Sequence, residues 1–450
     1  MCVAVAPLPY GGVLPGGILL IEVFAFAIAA LTFLSRTGAA RIGAGAIPLA
    51  ALGAVALLGV FQLRVLPESE LRELSPASAR VYADANAVLQ LYGRRPIPMA
   101  ISIAPAETKS TILLSLAYAA LLVSAMLLAN TRERRRMLAG ALLLTSTVQL
   151  IFAAVFPDPV TNRLHGAFVN PDHMAGYLGI GLAFAFGLIW TEVLTGDDRA
   201  KSVRDRGERL ERRAIPLAWR VAVWAMIAAG IVLTRSRGGI LAALFMTFAL
   251  VVFATSHSRG PVRFARMRTT MAAAIVAGLF IVALTTGENA LLRFLASDPR
   301  DIGTDTRVLI WQGSFRAWRM FPTFGSGLGT FREAFRRVQT SGVVGLVEQA
   351  HNDFLQLLVT GGWIGALLGV LAFASMFVIL FRAWMRQRHR EESAFILAAI
   401  GALLSLTIHG VVEFSMSIPA IPATLAVMAG AGWAARDIKK PEPFPALNSL

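Results

Sequence analysis

The sequence predicts an all-α fold: a polytopic integral membrane helical bundle of about 11 or 12 spans, with a large external loop containing short interfacial helices. Three observations carry this expectation. Of the 450 residues, 56% are hydrophobic and only 15% charged, with mean hydropathy +0.64. So few charges would not cover a water-exposed surface, whereas a bundle in a bilayer turns apolar side chains to lipid. The apolar residues also gather in stretches near the ~20 that cross a hydrocarbon core as helix. The basic residues gather between those stretches.

In chain order the stretches fall at 13–34, 42–63, 110–129, 137–156, 174–195, 217–234, 240–255, 270–286, 354–381, 394–412 and 416–435. Those at 240–255 and 270–286 are short. The one at 354–381 is long enough to tilt, or to break at Gly361-Gly362. Four segments follow: 1–109, N-terminal spans and a first external loop; 110–286, a central membrane bundle; 287–353, a large periplasmic loop; and 354–450, C-terminal spans and a cytoplasmic tail.

Sidedness follows from charge. The connections at 35–41, 131–136, 196–216, 256–269 and 382–393, with the tail beyond 435, hold 24 of the 42 Lys and Arg. That dense side should be cytoplasmic, with the N-terminus outside and the C-terminus inside. The loops at 64–109 and 287–353 then lie outside. Short runs such as 132–136 and 204–213 read as topology signals and solvated helix ends that meet lipid headgroups. They account for the net charge of +15 without a nucleic-acid partner. Cys2 is the sole cysteine, so no internal disulfide forms. The N-terminus shows no basic region and no cleavage site of a removable signal peptide.

Within the large loop, Trp311, Phe315 and Trp318 recur at helical spacing. They suggest an amphipathic helix with rings toward lipid and Arg316 and Arg319 toward headgroups. Pro322 should end it, and Gly325 to Gly329 should form a tight turn.

Four groups could carry chemistry. The first is His351-Asn352-Asp353, where the loop meets the ninth span. An imidazole with the ordinary pKa of about 6.5 is suited to take a proton from a hydroxyl. A plain helix-cap or interfacial histidine is the alternative. The second is Thr234 to Gly239, with Arg235 and Arg237 in a short external turn. Guanidinium forks match phosphate oxygens and glycines permit close backbone approach. Headgroup snorkelling explains the same residues. The third is Arg307, a second phosphate ligand or a helix-start residue. The fourth is 163–177, where Asn170-Pro171-Asp172 reads as a turn and helix cap followed by His173. The glycine turn lacks the context of a nucleotide loop, and no His, Cys or carboxylate cluster has metal-ligand spacing. Glu22 is the one acid deep within a span, too few for a proton-coupled transporter.

Taken in series, the motifs HGAFVNPDHMAGYL, LTRSRGG, TRVLIWQGSFRAWRMFPTFGSGLGTF, EQAHNDFLQLLVTGGWIG and HGVVEFSMSIPA resemble the O-antigen ligase and polymerase superfamily over about residues 160–425. The resemblance implies an enzyme of the bacterial inner membrane with its site facing the periplasm. It would take a glycan from an undecaprenyl-diphosphate carrier and pass it to an acceptor hydroxyl, with no cofactor, metal or nucleotide sugar. Carried over by motif, His351 would activate the acceptor, Arg237 and Arg307 would bind the diphosphate, and Arg235 would help. Asn170, His173, Asn352 and Glu413 fall in the same motifs as supporting residues. Polymerisation of exopolysaccharide or O-antigen repeats is the favoured reaction, with ligation to a lipid A core acceptor as the alternative. A lipid-linked glycan transporter and a non-catalytic scaffold are the readings from other classes.

Overall fold

The computed structural model describes residues 5–8, 10–35, 42–159, 163–194, 203–256 and 306–436. The described chain is all-helical, with fourteen α-helices. These are α1 Pro15–Leu34, α2 Ala46–Gln62, α3 Glu68–Leu74, α4 Pro76–Leu91, α5 Pro105–Leu128, α6 Arg132–Val155 and α7 Pro171–Leu194. They continue with α8 Val203–Leu233, α9 Arg237–Ser256, α10 Thr306–Met320, α11 Phe331–Arg336, α12 Asp353–Arg386, α13 Arg390–His409 and α14 Ala420–Ala434. Among the described residues nine helices are long and apolar enough to cross a membrane: α1, α2, α5, α6, α7, α8, α9, α12 and α13. The stretch expected at 416–435 forms α14, only 15 residues long, because the turn at Ser415–Ser417 delays its start. The span expected at 270–286, Cys2 and the tail beyond 436 lie outside the described residues.

Helices α7 and α13 form the centre of the bundle and are its most buried spans. Small residues set their separation. A Cβ at Gly179 would meet the Ser405 hydroxyl, and one at Gly187 would lie 2.9 Å from Ala398. Lipid provides no hydrophobic drive between helices, so close backbone approach and dispersion contacts hold such a pair. Around them Tyr177, Phe184, Met246, Leu250, Leu397 and Met428 fill one large core.

The two ends of the bundle differ as the charge pattern requires. At one end Arg132 and Arg135 meet Glu392 at 2.6 and 3.4 Å, and Arg136 meets Glu391 at 2.6 Å. Gln387 there donates to the Ala435 carbonyl and Trp433 to that of Ile42. At the other end the two long loops join through Ile103 N–H on the Ser326 carbonyl, and Leu66 N–H on the Met99 carbonyl closes the first loop on itself. Among the described residues the basic stretch 132–136 and the 387–392 connection thus share one end, and Ile103 and Ser326 of the two long loops meet at the other.

Helix α12 is broken at Gly362, where φ is 65° and ψ −169°. A broken helix frees backbone groups that need partners away from water. The 321–330 loop supplies them: Trp363 N–H bonds the Pro322 carbonyl at 2.9 Å, and Ser326 and Gly327 N–H bond those of Val359 and Thr360 at 3.0 Å. Gln62, at the end of α2, completes the joint. Its amide donates to the carbonyls of Thr360 (3.0 Å) and Phe324 (2.5 Å) and accepts from Leu328 N–H (2.9 Å). Gly325, Gly327 and Gly329 all have positive φ, as the expected tight turn needs. Neither Gly325 nor Gly362 has room for a Cβ, because each lies against the partner segment's backbone.

Two expectations change, while the basic stretch at 204–213 is a helix end as expected. The helix at 306–320 does not rest its rings on lipid. Its buried face is Ile310, Gly313, Ser314 and Ala317, and Trp311 and Trp318 pack on a core with Phe321, Phe331 and Phe335. Small residues let α10 approach closely, since a Cβ at Gly313 would lie 2.6 Å from Phe335. Only Phe315 of the three rings is exposed. The first external loop folds into α3 and α4 rather than remaining a loop, with Tyr82 and Ile101 in its core. The basic stretch at 204–213 continues α8 as helix, in keeping with the helix propensity of Arg, Glu and Leu.

Candidate functional site

Three of the helices that start at the end where the long loops lie, α7, α9 and α12, have a capping side chain. Asn170 Oδ1 accepts from Asp172 N–H at 2.8 Å at the head of α7. Ser236 Oγ accepts from Gly239 N–H at 3.1 Å at the head of α9. Asn352 Oδ1 accepts from Leu355 N–H at 2.9 Å at the head of α12, while its amide donates to Val411 O. Asn170 and Asn352 are thus engaged in capping, as the turn-and-cap reading had it for Asn170. The three N-termini turn their positive dipole ends toward one region.

The connector 410–416 between α13 and α14 closes that region. Asp353 N–H bonds the carbonyls of Gly410 (2.8 Å) and Glu413 (3.1 Å), and its carboxylate accepts from Met416 N–H at 3.1 Å. Gly238 presses on the same connector, where an added Cβ would lie 2.6 Å from Val412 and 3.1 Å from His409. The glycine pair after Arg237 is therefore a close-packing device.

On this frame the charged side chains alternate in sign. Arg163 bonds the Thr234 carbonyl at 2.8 Å and Asp172 at 3.0 Å. Asp172 also accepts from the Ser236 hydroxyl and lies 3.7 Å from Arg307. Arg307 Nη2 pairs closely with Glu413 Oε1. The other oxygen of Glu413 is 3.5 Å from His351 Nδ1. Glu413 is 1% exposed, whereas the side chains of Arg307 and His351 are 38% and 28% exposed. The ladder therefore runs from a buried acid to the surface.

Phe414 stands between two histidines. Its ring meets His173 at 4.6 Å and His351 at 4.8 Å, both edge-on. His409 lies deeper, fully buried, with Nδ1 at 2.9 Å from the Ser415 hydroxyl. Trp311 Nε1 donates to the His351 carbonyl at 3.3 Å, tying α10 to the residue before the α12 cap.

Backbone strain marks two of the nominated residues. Among the described residues Tyr10, Arg235 and His351 are the non-glycine positions with positive φ, the latter two at 53° and 49°. Each sits one residue ahead of a capping side chain. Such conformations cost on the order of 1–3 kcal/mol and persist where the surroundings impose them. Arg235 and Arg237 are exposed on the turn between α8 and α9.

Structure therefore brings His351, Arg307, Glu413 and His173 into one cluster, with the 235–237 turn on its rim. Sequence reasoning missed Asp172 and Arg163 as charge partners, Phe414 as the ring between the histidines, and His409. Asp172 was hidden because an acid in a first helical turn has a sufficient explanation as a cap or dipole partner. Among the described residues no three His, Cys, Asp or Glu side chains are grouped so as to hold a metal ion.

Fold and site together define a polytopic helical membrane protein with a polar, charge-lined site at one end of its bundle. Residues 221–370 match the family model described as O-antigen ligase, in agreement with the resemblance carried by the motifs. The match covers a third of the chain and is a similarity to a family described by its ligase activity. The matched segment includes Arg235, Arg237, Arg307, His351 and Asn352, while Asn170, His173 and Glu413 lie outside it. No curated protein matches the chain.

Proposed function

We propose that this protein is a metal-independent glycosyltransferase. It moves a glycan from an undecaprenyl-diphosphate carrier to an acceptor hydroxyl, on the periplasmic face of the bacterial inner membrane. The observation that carries the proposal is the clustering of His351 with Arg307 beside the Arg235–Arg237 turn, within the segment similar to O-antigen ligases.

The chemistry fits these groups. His351 takes the acceptor's proton as its oxygen attacks the anomeric carbon, opposite the diphosphate, and configuration inverts. Negative charge grows on the diphosphate as its bond breaks. Arg237, Arg307 and Arg235, with the dipole at the head of α9, stabilise that charge more in the transition state than in the bound substrate. Asn170 and Asn352 hold the helix starts in place, and His173 supports Phe414.

Between the two reactions of this kind we favour polymerisation of exopolysaccharide or O-antigen repeats over ligation to lipid A core. The basic outer surface of the large loop, including Arg319, Arg336 and Arg337, suits a membrane-borne anionic donor in either case. A strain lacking the chromosomal copy tests both points. Single repeats on lipid A core indicate a polymerase, and complete polymer left on the carrier indicates a ligase. His351→Ala should fail to restore glycan in that strain while accumulating in the membrane at the normal level. Full restoration would remove the base assignment.

A further inference from the structure

Glu413 joins two residues that the proposed mechanism treats separately. One carboxylate oxygen holds Arg307, assigned to the diphosphate, and the other faces His351, assigned to the acceptor. We infer that Glu413 is a positioning residue that couples them, so that donor binding at Arg307 makes His351 a stronger base. This rests on the roles proposed above for Arg307 and His351.

The argument begins with burial. A carboxylate that is 1% exposed needs a compensating cation, because its desolvation is otherwise uncompensated. Among the described residues the cationic or protonatable partners facing Glu413 are the Arg307 guanidinium and the His351 ring, and the Asp353 carboxyl nearby adds like charge. Arg307 is itself contested, since Asp172 lies 3.7 Å away and the most exposed side chain of the trio is the arginine's. Asp172 keeps Arg163 and the Ser236 hydroxyl if Arg307 moves. Among the described residues, Glu413 then keeps His351 as its ion-pair partner.

A dianionic diphosphate at the site competes for Arg307 with more charge than either carboxylate. As the guanidinium turns toward it, the cation left to Glu413 is the imidazolium of His351. Donor binding therefore favours the protonated imidazole at the step when a proton must leave the acceptor. The transfer balances simply. The acceptor proton passes to His351, its oxygen bonds the anomeric carbon, and the bond to the diphosphate breaks with its electron pair. Glu413 remains a carboxylate throughout. It acts as a buried acid beside a catalytic imidazole does, fixing the ring and stabilising its charged form.

Geometry fixes which nitrogen works. Nδ1 of His351 is buried against Glu413 while the side chain as a whole is 28% exposed, so the exposed edge carries Nε2. The Phe414 ring, nearly perpendicular at 88°, blocks rotation on one side. The charged and titratable groups that act on this ring or on its Glu413 partner are Glu413 on the connector, His173 on α7, Arg307 on α10 and Asp353 on α12, with Asp172 beside Arg307. Of these, Asp353 is held by Met416 N–H and Asp172 by Arg163. Glu413 and Arg307 are left as the pair whose rearrangement reaches His351.

The test titrates His351 without requiring turnover. Purified full-length protein in detergent is treated with diethyl pyrocarbonate across pH, and His351 acylation is read by peptide mass spectrometry. Inorganic pyrophosphate stands in for the donor headgroup. In wild type it should raise the pH of half-maximal acylation by about one unit, as expected for a newly uncompensated neighbouring carboxylate. Glu413→Gln should show a lower midpoint and lose that rise. Arg307→Gln should start with the raised midpoint and show no further change. Should Glu413→Gln fold poorly by thermal melting, Glu413→Asp should retain a reduced rise, and Arg307→Gln still reads the coupling with Glu413 intact. An equal rise in wild type and Glu413→Gln would mean that pyrophosphate acts through space and would overturn the inference. No rise in wild type would overturn it as well. Loss of the proposed transferase role would show instead as glycan restored by His351→Ala, whatever these midpoints do.

Discussion

Arg235 and His351 hold left-handed backbone that bulky residues avoid, one residue ahead of a helix cap in each case. In both the surroundings select the conformation: Ser236 caps α9, and Asn352 caps α12 while Trp311 holds the His351 carbonyl. Strain at Arg235 separates stability from function. Arg235→Gly should raise stability by about 0.5–1 kcal/mol, since glycine carries no Cβ penalty at positive φ. The same change should weaken donor binding, so a higher melting temperature together with a higher donor KM is expected. Arg237→Lys keeps the charge and loses the planar fork. Its transfer rate should fall at least about tenfold with unchanged membrane insertion. A wild-type rate would reassign Arg237 to the headgroup layer. At this scale much was legible, because Arg235, Arg237, Arg307 and His351 stand out as polar residues beside apolar stretches. Asp172 did not stand out, because its partners, Arg307 and the Ser236 hydroxyl, lie far off in the chain.

Among the elements, the joint between the broken span and the 321–330 loop decides where α10 sits. That loop follows α10 directly, so anchoring it in the break at Gly362 fixes the helix that carries Arg307. Gln62 fastens the joint from α2. Gln62→Leu removes the partner of the Phe324 carbonyl and the Leu328 amide, at about 1–3 kcal/mol for each buried group. A lowered melting temperature in detergent should result, with reduced transfer even at permissive temperature because Arg307 loses its seat. A variant as stable and active as wild type would deny the joint that role. The glycines at 325–329 and 361–362 were legible as a turn and a break. Their interlocking was not, since nothing local says that one fills the other.

Across the whole molecule, sidedness is the property to test. Arg94 lies in the first long loop and Arg134 at the opposite, basic end of the bundle. With Cys2 replaced by serine, single cysteines at 94 and 134 should behave oppositely toward a membrane-impermeant maleimide applied to spheroplasts. Position 94 should label in intact spheroplasts, and position 134 only after lysis. The reverse pattern would place the site in the cytoplasm and exclude the periplasmic reaction. Sequence alone determined the class and, among the described residues, the nine helices long and apolar enough to span. Hydropathy and charge act as local sums along the chain, and the bilayer reads those sums directly. Tertiary structure decided that the aromatic helix packs inward, that α12's break is filled from the loop, and that Glu413 meets both Arg307 and His351. Arg307 and Glu413 are 106 positions apart, and only the packing of α10 and the start of α12 against the 410–416 connector brings their charges within reach.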